Sequence, residues 1–202
     1  MKPAALVAVL FLLFSFKLTT PSGYQPGDKV RDFKLKNVNG KMVSLSDFKD
    51  AKGFIIVFTC NHCPFSKAYE ERLVELDKKY ASQGYPVIAI NPNDKSIVPE
   101  DSYDNMITNA KEKGFTFPYL YDELQETAKA YGATRTPHVY VLQKSQKDMI
   151  VKYVGAIDDN SDDASAVIKR YLENAVNELI SGKKVSVPFT KAIGCSIKWK
   201  KA

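Results

Sequence analysis

The chain has 202 residues, 45% hydrophobic and 26% charged, enough to bury one substantial core without a second domain. Its 29 lysines and arginines against 23 acids give a formal charge of +6. The basic residues are scattered apart from Lys183-Lys184 and the tail Lys198, Lys200 and Lys201; without a basic stripe interleaved with aromatics, no nucleic-acid partner is expected.

The first 22 residues differ in composition from the rest. Lys2 precedes residues 4–16, a 13-residue run with no charge and only Ser15 polar, and the chain then turns polar. Such a run is short for a bilayer span and reads as a signal peptide over residues 1–22, cleaved or kept as an anchor. The protein is therefore expected to be exported, periplasmic or extracellular, with membrane contact only through an uncleaved anchor. Residues 27–199 are expected to form a single domain and a monomer.

Residues 33–35 and 41–45 flank Asn39-Gly40, a hairpin turn signal. The run 53–59 (GFIIVFT) is continuously apolar and β-branched, the pattern of a central strand covered on both faces. Behind it Phe65, Ala68, Tyr69, Leu73, Leu76 and Tyr80 recur at helical spacing. Residues 86–91 read as the next buried strand, 100–113 as a helix after Pro99, and 118–121 as a short strand. Asp122 starts a helix with Gln125 placed for a capping box and Gly132 past its end. Residues 138–143 and 149–154 look like an antiparallel pair, and 162–181 like a long closing helix ended by Gly182. This order predicts an α/β fold with a mixed central β-sheet flanked by helices.

Three cysteines are too few for a disulfide-built scaffold. Two stand in Cys60-Asn61-His62-Cys63, where the buried strand feeds a helix; Cys195 lies far away. A thiol attacks as thiolate, and the unpaired N–H groups of a helix start favour negative charge. Cys60 is thus the expected nucleophile, with His62 as a cationic or hydrogen-bonding partner, and Cys63 the expected resolving thiol. A complete zinc site would need two more Cys or His ligands at short spacing, and only Cys195, His62 and His138 exist, so no metal and no cofactor are expected. Thr136-Pro137 opens the strand after a helix, and its backbone is placed to pair with an extended substrate segment if the proline is held cis beside the cysteines.

These residues resemble the thioredoxin superfamily, and more closely its peroxiredoxin-like branch, the alkyl hydroperoxide reductase/thiol-specific antioxidant (redoxin) proteins. The likeness is carried by FTCNHCPF (58–65), AINPND (89–94), PEDSYDNM (99–106), FPYLYDELQETAKAYGATRTPHVYV (117–141), YVGAIDD (153–159) and GCSIKW (194–199). It implies a thioredoxin-like fold with an N-terminal β-hairpin extension, and a thiol-disulfide oxidoreductase acting on protein or small thiols with a separate, unidentified redox partner. Three departures stand out. The Pro-x-x-x-Thr-x-x-Cys motif of peroxiredoxins is absent, residues 54–58 lack the buried carboxylate of thioredoxins, and Thr59 replaces the Trp common before the motif.

Thiolate stabilisation by His62 predicts a pair more oxidising than thioredoxin's roughly −270 mV. Two alternatives stand beside exchange: a thiol-dependent peroxidase with an antioxidant role, and a Cu(I)-handling protein using both motif cysteines with His138. Cys195 is either an inert tail thiol or a third redox thiol that trades disulfides with the motif. The acidic stretches 91–94 and 158–163 lack the spacing of a known calcium loop and are read as structural, the latter leading into a helix start.

Overall fold

The computed structural model describes residues 23–201, so the expected signal peptide lies outside the described residues. Among the described residues there are ten strands: β1 (Lys29–Val30), β2 (Leu35–Asn37), β3 (Met42–Val43), β4 (Gly53–Phe58), β5 (Val87–Asn91), β6 (Tyr119–Tyr121), β7 (Arg135–Thr136), β8 (His138–Ser145), β9 (Asp148–Gly155) and β10 (Cys195–Ser196). The described residues also form the α-helices α1 (Pro64–Tyr80), α2 (Tyr103–Glu112), α3 (Glu126–Tyr131) and α4 (Tyr171–Ile180). Eight strands form one sheet in the order β1-β9-β8-β4-β5-β6-β2-β3, and β7 pairs with β10 apart from it. The sheet is mixed: β4, β5 and β6 are parallel, while β8 runs antiparallel to β4 and β9 to β8.

The unbroken apolar run of β4 explains why it lies at the centre, because successive side chains point to opposite faces of the sheet. Ile55 and Val57 face Tyr69 and Leu73 of α1 and Leu172 and Val176 of α4. Phe54, Ile56 and Phe58 face the other way, toward Ala128 and Tyr131 of α3 and Ile197 of the tail. Both faces are covered, as a continuous apolar run requires. The hairpin at Asn39-Gly40 forms as expected, with Leu35 opposite Val43 and Gly40 at φ 82°.

Three helices start later than their sequence expectation, α2 among them, which begins at Tyr103 after a 3-10 turn at Pro99–Asp101. The segment 162–181 is helical only as α4, preceded by a 3-10 turn at Ala164–Ala166. Aspartates take its backbone donors: Asp163 accepts from Ser165 N–H at 2.8 Å, and Asp159 from both Ile168 and Lys169 N–H at 3.0 Å. Such local bonds compete with a helix. Gln125 forms no capping box; Asp122 accepts from Thr127 and Ala128 N–H, and Gln125 instead binds the C-terminal tail.

Candidate active site

The Cys-Asn-His-Cys segment fills the step from β4 to α1. Pro64 occupies the first helical turn, where its missing N–H costs nothing, and this makes Cys63 the N-cap. Cys60 therefore lies three residues ahead of that position, in the loop. Cys63 is bonded to Cys195, 132 residues away, with Cα atoms 6.1 Å apart. Cys60 is the free thiol of this state.

The Cys60 Sγ lies 3.2 Å from Thr136 Oγ1, 3.5 Å from His62 Nδ1 and 3.8 Å from Ser66 Oγ, and the Cys63 backbone N–H points at it. The residue is only 2% exposed. Burial first, and the Asp101 charge second, push the thiol's pKa above its ordinary value, against the hydrogen bonds from Thr136, Cys63 N–H and Ser66. The sequence led to the opposite expectation, a thiolate favoured by the helix end and His62. The difference is geometric: Cys63 occupies the helix end, and the Nδ1 of His62 is engaged elsewhere.

That partner is Asp101, 39 residues away and unmarked by the Cys-Asn-His-Cys motif. It is fully buried, and its Oδ2 lies 2.5 Å from His62 Nδ1. Its Oδ1 accepts from Asn61 N–H at 2.7 Å and His62 N–H at 3.2 Å, and Oδ2 also accepts from Asn93 Nδ2 at 2.7 Å. One carboxylate thus pins the two middle residues of the motif. A carboxylate is an acceptor, so Nδ1 is the donor in that bond. Asn61 is fixed as well: its Nδ2 donates to the Glu100 carbonyl, and its Oδ1 accepts from the buried Tyr119 hydroxyl, each at 2.9 Å. Asp101 comes from the 3-10 turn Pro99–Asp101, within a segment that reads in sequence as the start of a helix. The one available signal was the polar run at the end of β5, whose Asn91 and Asn93 are buried and bond to Asp101.

Thr136 and Pro137 stand beside the cysteines, and their peptide bond is cis. The Thr136 carbonyl oxygen is 3.2 Å from Cys63 Sγ. His138 is not gathered with the sulfurs: its Nδ1 accepts from Thr134 N–H at 3.4 Å, its ring packs against Tyr140, and burial pulls its pKa down to about 4. The cluster with metal-ligand chemistry among the described residues is Cys60, His62 and Asp101, whose ligand atoms lie within 4.8 Å of one another. The acidic stretch after β9 is held by Arg72, which donates to Asp158 Oδ2 at 2.8 Å and to the carbonyls of Asn160 and Ser161 at 2.7 and 2.5 Å.

The AhpC/TSA family profile matches residues 26–154. Among curated proteins, the thiol-disulfide oxidoreductase ResA of Bacillus thuringiensis subsp. konkukian is 26% identical over 140 residues, covering 69% of this chain and 76% of its own. A putative peroxiredoxin of Mycobacterium tuberculosis is 24% identical over 123 residues, covering 61% and 73%. Among solved structures, an uncharacterized conserved protein from Geobacillus kaustophilus is 40% identical with a TM-score of 0.81, covering 89% of this chain and 94% of its own. A thioredoxin family thiol:disulfide interchange protein from Chlorobium tepidum, 20% identical at TM-score 0.56 and covering 74% and 97%, shares the fold.

Proposed function

We propose that this chain, which belongs to the AhpC/TSA family and is a thiol-disulfide oxidoreductase of thioredoxin-like fold, performs its exchange on Cys60 and Cys63, with Thr136 and Pro137 lining the approach. The observation that carries this reading is the convergence on Thr136: its hydroxyl lies 3.2 Å from the Cys60 sulfur and its carbonyl 3.2 Å from the Cys63 sulfur. Two sulfurs that share so small a neighbour, one in the loop and one at the helix N-cap, are positioned to form a bond and to hand it on. Substrates are protein thiols and disulfides, and export through residues 1–22 would bring the chain to a compartment where such bonds persist.

The sequence around the cysteines favours exchange over peroxide reduction. The Pro-x-x-x-Thr-x-x-Cys motif that activates a peroxide-reducing cysteine is absent around both Cys60 and Cys63, and no such motif is needed for two cysteines to exchange a disulfide. The copper reading loses its third ligand, since His138 bonds to Thr134 and packs on Tyr140. The test is turnover of a model protein disulfide with glutathione, comparing the native chain with Cys60→Ser and Cys63→Ser. Each variant is expected to lose about a hundredfold or more. Native turnover in Cys63→Ser would overturn the assignment.

A further inference from the structure

The exchange reading leaves open how a buried pair reaches a partner of protein size, and the next inference rests on that reading. Cys63 is fully buried and Cys60 nearly so, while Cys195 is only partly buried. The cysteine nearest to solvent therefore belongs to the tail, and the tail is anchored on both sides of it. Upstream, Thr190 N–H donates to the Val154 carbonyl at 2.9 Å, and the Thr190 hydroxyl oxygen accepts from Ala156 N–H at 3.0 Å. Downstream, Ile197 N–H donates to the Thr134 carbonyl at 3.1 Å, and Lys198 N–H to Asn93 Oδ1 at 2.8 Å. The buried Gln125 receives Lys200 N–H and donates to the Lys198 carbonyl, each at 2.8 Å.

Between these anchors β10 pairs antiparallel with β7, with Cys195 opposite Thr136. This is the strand-addition position that the sequence assigns to a substrate segment, filled here by the chain's own tail. Approach is close enough to need glycine: a Cβ on Gly194 would lie 2.2 Å from the Thr136 carbonyl oxygen. Thr136 thus touches Cys60 with its hydroxyl and Cys63 with its carbonyl, and holds Cys195 in register with its backbone.

We propose that Cys195 is the outer thiol of a three-cysteine relay, carrying disulfides between the buried Cys60/Cys63 pair and external dithiols. In the internal step the Cys195 thiolate attacks Cys63 of a Cys60–Cys63 disulfide. A Cys63–Cys195 bond forms, the Cys60–Cys63 bond breaks, and Cys60 leaves as thiolate; no electrons are gained or lost overall. In the external step one thiol of a substrate dithiol, as thiolate, attacks Cys195 and Cys63 departs as thiolate. The substrate's second thiol then displaces Cys195. The substrate is oxidised to a disulfide, both cysteines are reduced, and the two substrate protons end on Cys63 and Cys195.

Because the internal step is redox-neutral, its equilibrium is independent of the surrounding potential. The full chain is equilibrated in glutathione buffers of different poise, quenched with acid and mapped by non-reducing proteolysis. Both disulfides are expected, in a ratio that stays constant while their sum falls as the buffer becomes more reducing. The second measurement is turnover of a reduced protein dithiol by the oxidised chain, expected to slow by about tenfold or more in Cys195→Ser. Gly194→Ala, which keeps all three cysteines, covers the case in which Cys195→Ser misfolds; it is expected to shift the ratio toward Cys60–Cys63 by about tenfold or more. Native turnover in Cys195→Ser, or a Cys63–Cys195 bond that dithiothreitol reduces only after the chain is unfolded, would overturn the relay and leave the Cys60/Cys63 assignment intact. Undiminished turnover in Cys63→Ser would remove that underlying assignment as well.

Discussion

At Cys60 opposing groups meet on one sulfur. Burial and the Asp101 carboxylate favour the neutral thiol, while Thr136, the Cys63 N–H and Ser66 favour the thiolate, and the first pair prevails. In the Cys63–Cys195 form Cys60 is the one free thiol, so alkylation reads it alone. Its alkylation rate is expected to rise with pH through a midpoint above the ordinary value of about 8.5. Asp101→Asn, which removes the charge and keeps an acceptor, should move that midpoint down; a midpoint near neutrality, or one unmoved in Asp101→Asn, would refute this account of the site. The prediction of a pair more oxidising than thioredoxin rested on a stabilised Cys60 thiolate, and that premise does not hold in this state. What was legible at this scale was local: Cys60, His62 and Cys63 fall within four consecutive positions, and Thr136-Pro137 announces itself by its chemistry. Asp101 was not, because it reaches Asn61 across 40 residues and an acid beside Pro99 reads equally well as a complement to the helix dipole.

Among the elements, those defined by apolar period were legible and those defined by polar side chains were not. The run of β4 and the stripe of α1 could be read directly, since burial on a sheet or helix leaves its period in the sequence. The start of α4 could not, because Asp159 and Asp163 divert backbone donors from the preceding turns. That diverted segment hangs on Arg72, whose guanidinium meets a buried Asp158 and two carbonyls. Arg72→Ala leaves the Asp158 carboxylate with only Tyr69 OH and Asn160 N–H for support. We expect a loss of about 3 kcal/mol in urea unfolding, with Arg72→Lys intermediate because a point charge cannot span three acceptors. A loss below about 0.5 kcal/mol would mean that the clamp is ornamental. The first residue of β8 supplies a pH dependence. His138 has its pKa lowered from 6.5 to about 4 by burial, so between those values the unfolded chain binds a proton that the folded chain refuses. Its contribution is present above pH 6.5 and is lost as pH falls toward 4, by roughly 2 kcal/mol between pH 6.5 and 5. His138→Gln should flatten that stretch of the urea-midpoint profile, and an unchanged slope would place the acid sensitivity elsewhere.

For the molecule as a whole, the choice between two disulfides is tied to folding itself. In an unfolded chain Cys60 and Cys63 are three positions apart and Cys63 and Cys195 are 132 apart. Closing the longer loop costs about 3 kcal/mol more in chain entropy, a preference of about two hundredfold for the short bond once the fold is gone. The native chain has the long bond, so the tail anchors at Thr190, Ile197, Lys198 and Lys200 and the pairing of β10 with β7 must together outweigh that difference. The segments meet only in the finished structure, which is why the sequence left Cys195 open between inert and active. If this balance is correct, oxidised protein held in concentrated urea with a trace of free thiol should shift to the Cys60–Cys63 bond. Dilution into buffer should restore Cys63–Cys195 as the tail refolds onto β7, and peptide mapping at both stages reads the outcome. A Cys63–Cys195 bond that still dominates in urea at exchange equilibrium would mean that the long bond is intrinsically favoured, and that tail packing does not select between the two.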